Sequence, residues 1–341
     1  MTTKILTKHL IKRVIFAPIS ALHGLVLILR HAAFDFRVLK SKKASIPTLV
    51  IGNIHAGGTG KTPHASAFLK LFADKLGGPQ YVALLSRGYG RRSQGFKWVS
   101  ENGDWREFGD EPYLLKQLNS HHPIAVSENR LKGIDIIKQS MPNVKLVILD
   151  DGLQHRSLIP HKSIVLLDSQ RPLRHEALIP AGSLRDLKSR VNKFDAIIFT
   201  RSNNQEKTYK SIFSSEMTTR VTIKTSSNTK VKPRVLAVSG IAEPDRFMEG
   251  LDLKWNVLKR QSYPDHYEFK EEDVLGWIDT VRTGSLDGIV TTAKDYVRIK
   301  QFSHTLKGVD IFSLPIEVKW HNEIALNEWV DEWVESTIFA K

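Results

Sequence analysis

The sequence predicts an α/β protein: a parallel sheet with helices on both faces, a smaller C-terminal α/β domain and an N-terminal amphipathic helix. Short apolar runs ending in Gly, Asp, Ser or Thr alternate with longer, more polar stretches, as in consecutive βαβ units. An apolar N-terminal stretch with basic flanks predicts the helix. The runs that we interpret as buried strands are Thr48 to Ile51, Tyr81 to Leu85, Val144 to Leu149, Ile164 to Leu167, Ala196 to Phe199, Arg234 to Val238 and Gly288 to Thr291.

The composition indicates which classes of protein the chain can belong to. With 341 residues, 41% hydrophobic and 25% charged, the chain is globular and long enough for two domains. It contains no cysteine, which excludes a disulfide scaffold and a thiolate metal site. Its formal net charge of +14 predicts attraction to nucleic acid, acidic phospholipid or a phosphorylated substrate. No basic recognition helix or aromatic-interleaved RNA motif accompanies the charge, so we expect no nucleic-acid partner; a nucleic-acid-binding module is the minor alternative.

The segment from Ile11 to Phe36 is apolar, but proline, serine, histidine and arginine interrupt it, which argues against a spanning helix or a signal peptide. Lysines and arginines flank both ends. We therefore predict an amphipathic helix lying in an anionic membrane surface, with a core helix or a cleaved signal as alternatives. Its apolar residues recur at helical spacing: Ile11, Val14, Ile15, Ile19, Leu22, Val26 and Leu29; the opposite face carries Arg13, Ser20, Gly24 and His31.

These features divide the chain into three parts. Residues 1–43 form the membrane-associating segment, 44–225 the main domain, and 226–341 a C-terminal domain that is expected to close over a cleft. The second boundary lies in the polar stretch between Thr200 and Lys232, before the strand-like run that begins at Arg234. The chain is expected to end in a helix around Glu328 to Thr337.

A glycine-rich loop follows the first predicted strand directly. Its backbone N–H groups and the following helix N-terminus suit phosphate oxygens, Lys61 is placed to reach the β- and γ-phosphates, and the Thr62 hydroxyl to ligate Mg²⁺. The Walker pattern has Gly where this chain has His55. We predict a P-loop that binds ATP through His55, Ala56, Gly57, Gly58, Thr59, Gly60, Lys61 and Thr62.

Two adjacent carboxylates, Asp150 and Asp151, end another buried strand. Ligands of open parallel sheets bind at the carboxyl ends of the strands, and an acidic residue there commonly holds the Mg²⁺ of a P-loop enzyme. An aspartate after a strand is otherwise a turn or helix cap. Beside the P-loop, at least one of the pair is expected to bind the metal.

Partition-type ATPases, which act as membrane-associated switches, are the main alternative. They carry a similar loop, but with a lysine immediately before the paired glycines, where this chain has Ala56. In Thr292-Ala-Lys-Asp295 the lysine and aspartate are adjacent, unlike the guanine-reading motif of GTPases.

Further motifs extend over most of the chain, and together with the P-loop they resemble the tetraacyldisaccharide 4'-kinase family of lipid A biosynthesis. They occur in the order of that family. The motifs are Ser86-Arg-Gly-Tyr-Gly-Arg91, Gly109-Asp-Glu-Pro112, Ser127-Glu-Asn-Arg130, Asp150-Asp-Gly-Leu-Gln-His155, Leu178-Ile-Pro-Ala-Gly-Ser-Leu-Arg185, Asp265-His266 and Thr292-Ala-Lys-Asp295.

The resemblance implies Mg²⁺- and ATP-dependent phosphorylation of the 4'-hydroxyl of a tetraacyl glucosamine disaccharide 1-phosphate. It implies two α/β domains facing a cleft, an anionic acylated substrate, and a peripheral or monotopic place on the cytoplasmic face of the inner membrane. Asp186 stands where the family often has Glu, so its metal-binding role is left open.

The resemblance also assigns the catalytic pair. Without it, Asp110 before Glu111 and Pro112 would be read as a helix N-cap, and His266 as a loop residue. With it, Asp110 is the expected base for the sugar hydroxyl, and His266 orients it. Each arginine also has a solvated surface role as an alternative. The expected substrate contacts are Arg87, Arg91, Glu111, Arg130 and Gln154.

Overall fold

The computed structural model describes residues 2–201, 212–219, 232–251 and 254–339, and the side chains of 13–201, 213–218, 232–251 and 254–339. The predicted boundary between residues 225 and 226 lies outside these ranges, and the division into domains stays a prediction. The fold itself, an α/β structure with parallel sheets and an N-terminal apolar helix, is as predicted.

A nine-stranded sheet forms the larger part of the described structure. Its neighbouring strands are parallel except at the two edges, where the outermost strands pair antiparallel. All five strands predicted for this part lie at its centre, because their apolar runs are buried on both faces. In spatial order the strands are β15 (Ile316–Trp320), β10 (Ile212–Thr219), β9 (Ala196–Thr200), β8 (Lys162–Asp168), β2 (Thr48–Asn53), β6 (Leu146–Asp150), β3 (Val82–Ser86), β5 (Ile124–Val126) and β4 (Lys97–Trp98).

Helices cover both faces of this sheet. On one face Phe68 and Phe72 pack with Trp333 in one core; on the other, Ile134 and Ile137 pack on the strands in a second core. The Phe72 and Trp333 rings meet edge to face with centroids 5.3 Å apart. The helices are α2 (Lys61–Leu76), α3 (Trp105–Phe108), α4 (Asp110–Leu118), α5 (Arg130–Ser140) and α9 (Glu323–Trp333), the last continuing as a π-helical turn, Val334–Ile338.

A second, four-stranded parallel sheet carries the C-terminal part of the chain. Trp277 and Phe269 fill the core between this sheet and its helices. The strand order is β12 (Asn256–Ser262), β11 (Arg234–Ser239), β13 (Gly288–Thr292) and β14 (Ile311–Leu314), with helices α6 (Pro244–Leu251), α7 (Glu271–Thr283) and α8 (Ala293–Ile299). After β14 the chain returns to the large sheet, where β15 pairs with β10 and α9 packs on α2. Residues 316–338 therefore belong structurally with the larger sheet.

The N-terminal helix α1 (Thr2–Asp35) runs through Pro18 and buries its polar face. Ser20, Gly24, Leu27 and His31 are buried against the body. The apolar side chains predicted for the opposite face are exposed from Val14 to Leu29, by 53% at Ile19 to 68% at Val14; Ile11 lies outside the described side chains. This exposure excludes a core helix. By length and composition Arg13–Asp35 is also long and apolar enough to cross a membrane. A short two-stranded sheet, β1 (Lys42–Lys43) with β7 (Leu158–Ile159), follows it.

Candidate active site

The glycine-rich loop joins β2 to α2 at the carboxyl edge of the large sheet. Gly57 and Gly60 have φ of 96° and 86°, the left-handed region that favours glycine. A Cβ at Gly60 would lie 2.3 Å from the sulfur of Met217 on β10, so a larger residue would displace that side chain as well as strain the backbone. Asn53, the last residue of β2, fastens the loop by donating to the Thr59 hydroxyl. The glycine-rich loop thus follows a buried strand and leads into a helix, as predicted.

The residue in the unusual Walker position, His55, points into the protein. Its side chain is fully buried, and neither ring nitrogen has a hydrogen-bond partner among the described residues. Burial, together with the nearby arginines, lowers the pKa of His55, so the ring is neutral. The His55 ring therefore does not face the loop's open side, and its backbone is paired with Leu184.

The strand-end carboxylates have different environments. Asp150 is buried with Oδ1 unpartnered within the described part of the chain, and burial, with the charges of Glu111 and Asp151, raises its pKa to about 7. Burial also acts on Asp151, but the two hydrogen bonds from Arg185, at 2.9 and 3.1 Å, and the charge of Lys61 lower its pKa. Lys61 Nζ lies 3.7 Å from Asp151 Oδ2. Asp151 is thus held by cations, whereas Asp150 has an oxygen available.

The structure brings Asp110 and His266 together although they are far apart in the chain. His266 Nδ1 lies 2.8 Å from Asp110 Oδ2, and Asp110 is 4% exposed. Burial opposes ionisation, but the hydrogen bond from His266 and the charge of Lys294 hold the pKa of Asp110 below its usual value. The same hydrogen bond, which outweighs burial, raises the pKa of His266. Gly109 occupies the N-cap position of α4, so Asp110 is its first residue and not its cap.

Lys294 and Arg185 are site residues that the sequence reasoning did not single out, although both lie inside the motifs quoted above. Lys294 Nζ lies 3.2 Å from His266 Nε2, 3.3 Å from Glu111 Oε1 and 4.0 Å from Asp110 Oδ2. It stands at the start of α8, which packs on α4, and so joins the second sheet to the Asp110–His266 pair.

The predicted substrate contacts fall into two groups. Arg87 is exposed, and Arg130 is buried beside it, with a pKa lowered to about 10 by burial and by the charge of Arg87. Glu111 faces Lys294. These three line the same edge of the sheet.

The other two predicted contacts are already engaged within the protein. The buried guanidinium of Arg91 binds Ser93, Gly95 and Glu128. Gln154 donates to the Asn53 carbonyl at 3.0 Å. We therefore interpret Arg91 and Gln154 as supports of the loops that form the site.

Asp186 faces the N-terminal helix and not the strand-end carboxylates. Its Oδ1 lies 2.7 Å from His31 Nε2 and accepts from the Leu187 N–H at 2.8 Å. Ser20 and His31 of α1 thus contact the segment from Leu178 to Asp186, which ends beside Arg185. Its contacts are those of a residue that fastens α1, and they do not favour a metal-binding role.

A shaped phosphate loop, two strand-end aspartates and a hydrogen-bonded Asp–His pair on one sheet edge define a P-loop kinase. A family model described as tetraacyldisaccharide-1-P 4'-kinase matches residues 12–335, and the chain belongs to this family. It is a kinase of lipid A biosynthesis, as predicted, and the partition-type ATPase alternative is not favoured.

Individual relatives agree with the family model. Proteins named tetraacyldisaccharide 4'-kinase from Bacteroides thetaiotaomicron and Cytophaga hutchinsonii are each 32% identical to the chain. The two alignments cover 89% and 84% of the chain, and 87% and 85% of the relatives. The crystal structure of LpxK from Aquifex aeolicus in complex with ATP has a TM-score of 0.76 at 28% identity, and the match covers 94% of this chain and 98% of that one. This similarity supports ATP as the nucleotide.

Proposed function

We propose that this chain transfers the γ-phosphoryl group of ATP to the 4'-hydroxyl of a tetraacyl disaccharide 1-phosphate, with Asp110 as the base. The observation that carries the proposal is the proximity of the Asp110–His266 pair to the phosphate loop. Glu111, which follows Asp110, is close enough to Asp150 for its charge to raise the pKa of Asp150. This effect supports a proton acceptor that lies beside the strand-end carboxylates.

The residues divide the reaction between them. The acceptor oxygen attacks the γ-phosphorus, its proton passes to a carboxylate oxygen of Asp110, and ADP leaves. His266 Nδ1 orients that carboxylate, and Lys294 adds positive charge to both groups. Lys61 and the loop N–H groups offset negative charge on the phosphates. Arg87 and Arg130 are proposed to contact the acceptor.

The donors beside the loop suit Mg²⁺, which prefers oxygen ligands and takes few of them from the protein. Asp150 offers a buried carboxylate oxygen without a partner among the described residues, and Thr62 is the second residue of α2. When bound, the metal would neutralise charge on the β- and γ-phosphates. We assign the direct contact to Asp150, because Asp151 is held by Arg185 and Lys61.

This assignment predicts different effects for the two aspartates. We expect Asp150→Asn to raise the Mg²⁺ concentration needed for half-maximal activity at least about tenfold, whereas Asp151→Asn, which frees Lys61 and Arg185, lowers kcat with little change in that concentration. Titrating activity against Mg²⁺ for both variants measures the difference. If both variants had equal and negligible effects, neither aspartate would bind the metal, and both would serve only as turn or helix-cap residues.

The membrane contact is proposed to be α1, lying in the cytoplasmic face of the inner membrane. It presents apolar side chains outward and fastens its polar face to the protein through Ser20 and His31. A helix docked along its length lies in the interface, and basic flanks add attraction to anionic lipid.

We expect Leu22→Gln/Val26→Gln/Leu29→Gln to release most of the protein from vesicles containing phosphatidylglycerol, since these side chains are 53–62% exposed. Vesicle flotation measures the release, and raised salt should weaken the binding that remains. Deleting residues 1–36 should also release the protein, but it removes the buried Ser20 and His31 as well.

A matched control is Leu258→Gln/Leu275→Gln/Ile324→Gln, which changes three exposed apolar residues elsewhere. We expect this variant to float with vesicles like the wild type. Unchanged flotation of the α1 variant would place the membrane contact on another surface.

Transfer of radiolabelled γ-phosphate to the lipid disaccharide tests the whole proposal. We expect ATP-dependent incorporation at the 4' position. ATP hydrolysis that is stimulated only by DNA or by a partner protein, without incorporation, would overturn it.

A further inference from the structure

A buried ion pair lies in α8, in a motif that the proposed reaction uses only in part. Asp295 ends the motif Thr292-Ala-Lys-Asp295, and Arg298 follows it one helical turn later. Both side chains are fully buried, and they pair with each other. Burying charges costs solvation free energy, which pairing and further hydrogen bonds must offset. The other hydrogen bonds of this pair therefore indicate what it does.

The guanidinium of Arg298 joins two loops. It donates to the Gly240 carbonyl at 2.9 Å and to the Tyr267 carbonyl at 3.1 Å. Gly240 follows β11 directly, and Tyr267 lies in the loop after β12. A guanidinium donates in several fixed directions at once, which a lysine ammonium on its flexible stem does not reproduce. One side chain thus holds these two loops against each other.

Asp295 joins the same loops to the start of α8. Its Oδ2 accepts from the hydroxyl of Thr292, the last residue of β13, at 2.7 Å. A Cβ at Gly240 would lie 3.2 Å from Asp295 Oδ1, so the loop after β11 passes close to this carboxylate. Strands β11, β12 and β13 run parallel, so the three segments that follow them lie at one edge of the second sheet. The ion pair contacts all three.

His266 lies in the middle one of these segments, in a conformation that needs support. Its φ is 58°, in the left-handed region that residues other than glycine seldom adopt. Such a conformation persists where the surrounding structure holds it. The carbonyl that accepts from Arg298 belongs to Tyr267, the next residue, and the His266 ring reaches Asp110 at 2.8 Å.

We infer that Arg298, paired with Asp295, is a positioning residue that holds the His266 ring against Asp110; this rests on the proposed function, in which Asp110 is the base. Because both side chains of the ion pair are fully buried, they act through the backbone of the His266 loop and not on the substrates. Misplacing a catalytic group by about 1 Å can cost roughly a hundredfold in rate, so a small shift of this loop should be measurable.

The test is a double-variant cycle of kcat with Arg298→Lys and His266→Ala. Lysine keeps the positive charge beside Asp295 but loses the fork, so a loss of kcat reports geometry and not charge. We expect Arg298→Lys to lower kcat about tenfold with an unchanged KM for ATP. In the His266→Ala background the same substitution should change kcat by less than about twofold.

A second variant covers the case in which Arg298→Lys does not fold. Asp295→Asn keeps an oxygen that can accept from Arg298 and removes only the charge. We expect a smaller loss of kcat that again disappears in the His266→Ala background. The matched control is Ile299→Val, which trims a buried side chain of the same helix in the core of the second sheet. It should lower the melting temperature and retain the wild-type kcat.

The outcomes separate the inference from the function on which it rests. If Arg298→Lys keeps the wild-type kcat and only melts at a lower temperature, like the control, the ion pair is structural alone and the inference is wrong. Equal losses of kcat with and without His266 would overturn it as well. If His266→Ala itself keeps full kcat, the proposed catalytic pair has failed, and the inference fails with it.

Discussion

Replacing Lys61 by alanine is expected to lower phosphoryl transfer by about 10²–10³-fold, the usual cost of removing one preorganised donor to developing negative charge. Lys61 is the first residue of α2, and its Nζ lies 3.7 Å from Asp151 Oδ2, outside the hydrophobic cores. The substitution should therefore leave the fold intact. Radiolabel transfer measures the loss, and thermal melting checks the fold.

Variants in the same helix provide the controls. Lys75→Ala removes an equal charge from the far end of α2, where the lysine pairs with Asp331, and should keep wild-type kcat. Thr62→Ala should also lose most activity, whereas Thr62→Ser, which keeps the hydroxyl, should retain it. Near-wild-type turnover of Lys61→Ala would remove the basis for the P-loop assignment.

The second large effect is expected when Asp110, the proposed base, is replaced. Asp110→Asn should lower kcat by about 10²–10⁴-fold with only a modest change in the KM for ATP, because a general base contributes by that factor. Asparagine keeps an oxygen that accepts from the Glu111 N–H, as Asp110 Oδ1 does at 2.9 Å, so the helix start is preserved. If the alanine variant kept full kcat and melted at a lower temperature, Asp110 would have a structural role alone.

The partner residue supplies a second measurement. His266→Ala should lower kcat, and the double variant should be far less impaired than the product of the single effects, because the two side chains act as one unit. Asp104→Ala is the matched control: Asp104 caps α3 by accepting from the Arg106 N–H and has no part in the pair. Multiplicative effects of Asp110 and His266 would show that they act independently.

The pair also predicts a pH dependence. The pKa of Asp110 is lowered, so its stabilising contribution is present above the ordinary carboxyl pKa and disappears as pH falls through the lowered value. The pKa of His266 is raised, so its contribution is complete below the ordinary imidazole pKa and disappears as pH rises through the raised value. A carboxylate bound to imidazolium is a weak base. We expect kcat to rise as His266 loses its proton, and His266→Gln to abolish this limb of the profile.

The central strands and the phosphate loop were predictable because their signals are local. A buried parallel strand reads as an apolar run, and Gly57 to Thr62 form one short motif. The edge strand β15 and its neighbour β10 were not predicted. Half of such a strand faces solvent, and its polar residues, such as Glu317 and Lys319, hide the pattern.

The contact between Asp110 and His266 was predictable only through family resemblance. Asp110 and His266 are 156 residues apart, on α4 and in the loop after β12, and no local pattern joins them. The same limit hid Arg185 and Lys294, whose partners lie on other elements. For α1, the sequence revealed two faces, but only packing shows that the polar face, through Ser20 and His31, is the one turned inward.

The inward polar face of α1 has a consequence for how enzyme and acceptor meet. With α1 lying in the membrane surface, as proposed, the protein diffuses in the plane of the bilayer, the same plane that confines an acylated disaccharide. The enzyme and its acceptor then meet by diffusion in two dimensions, with the site held at a constant distance from the membrane. A lipid that leaves the site needs only to move sideways, without carrying its acyl chains through water.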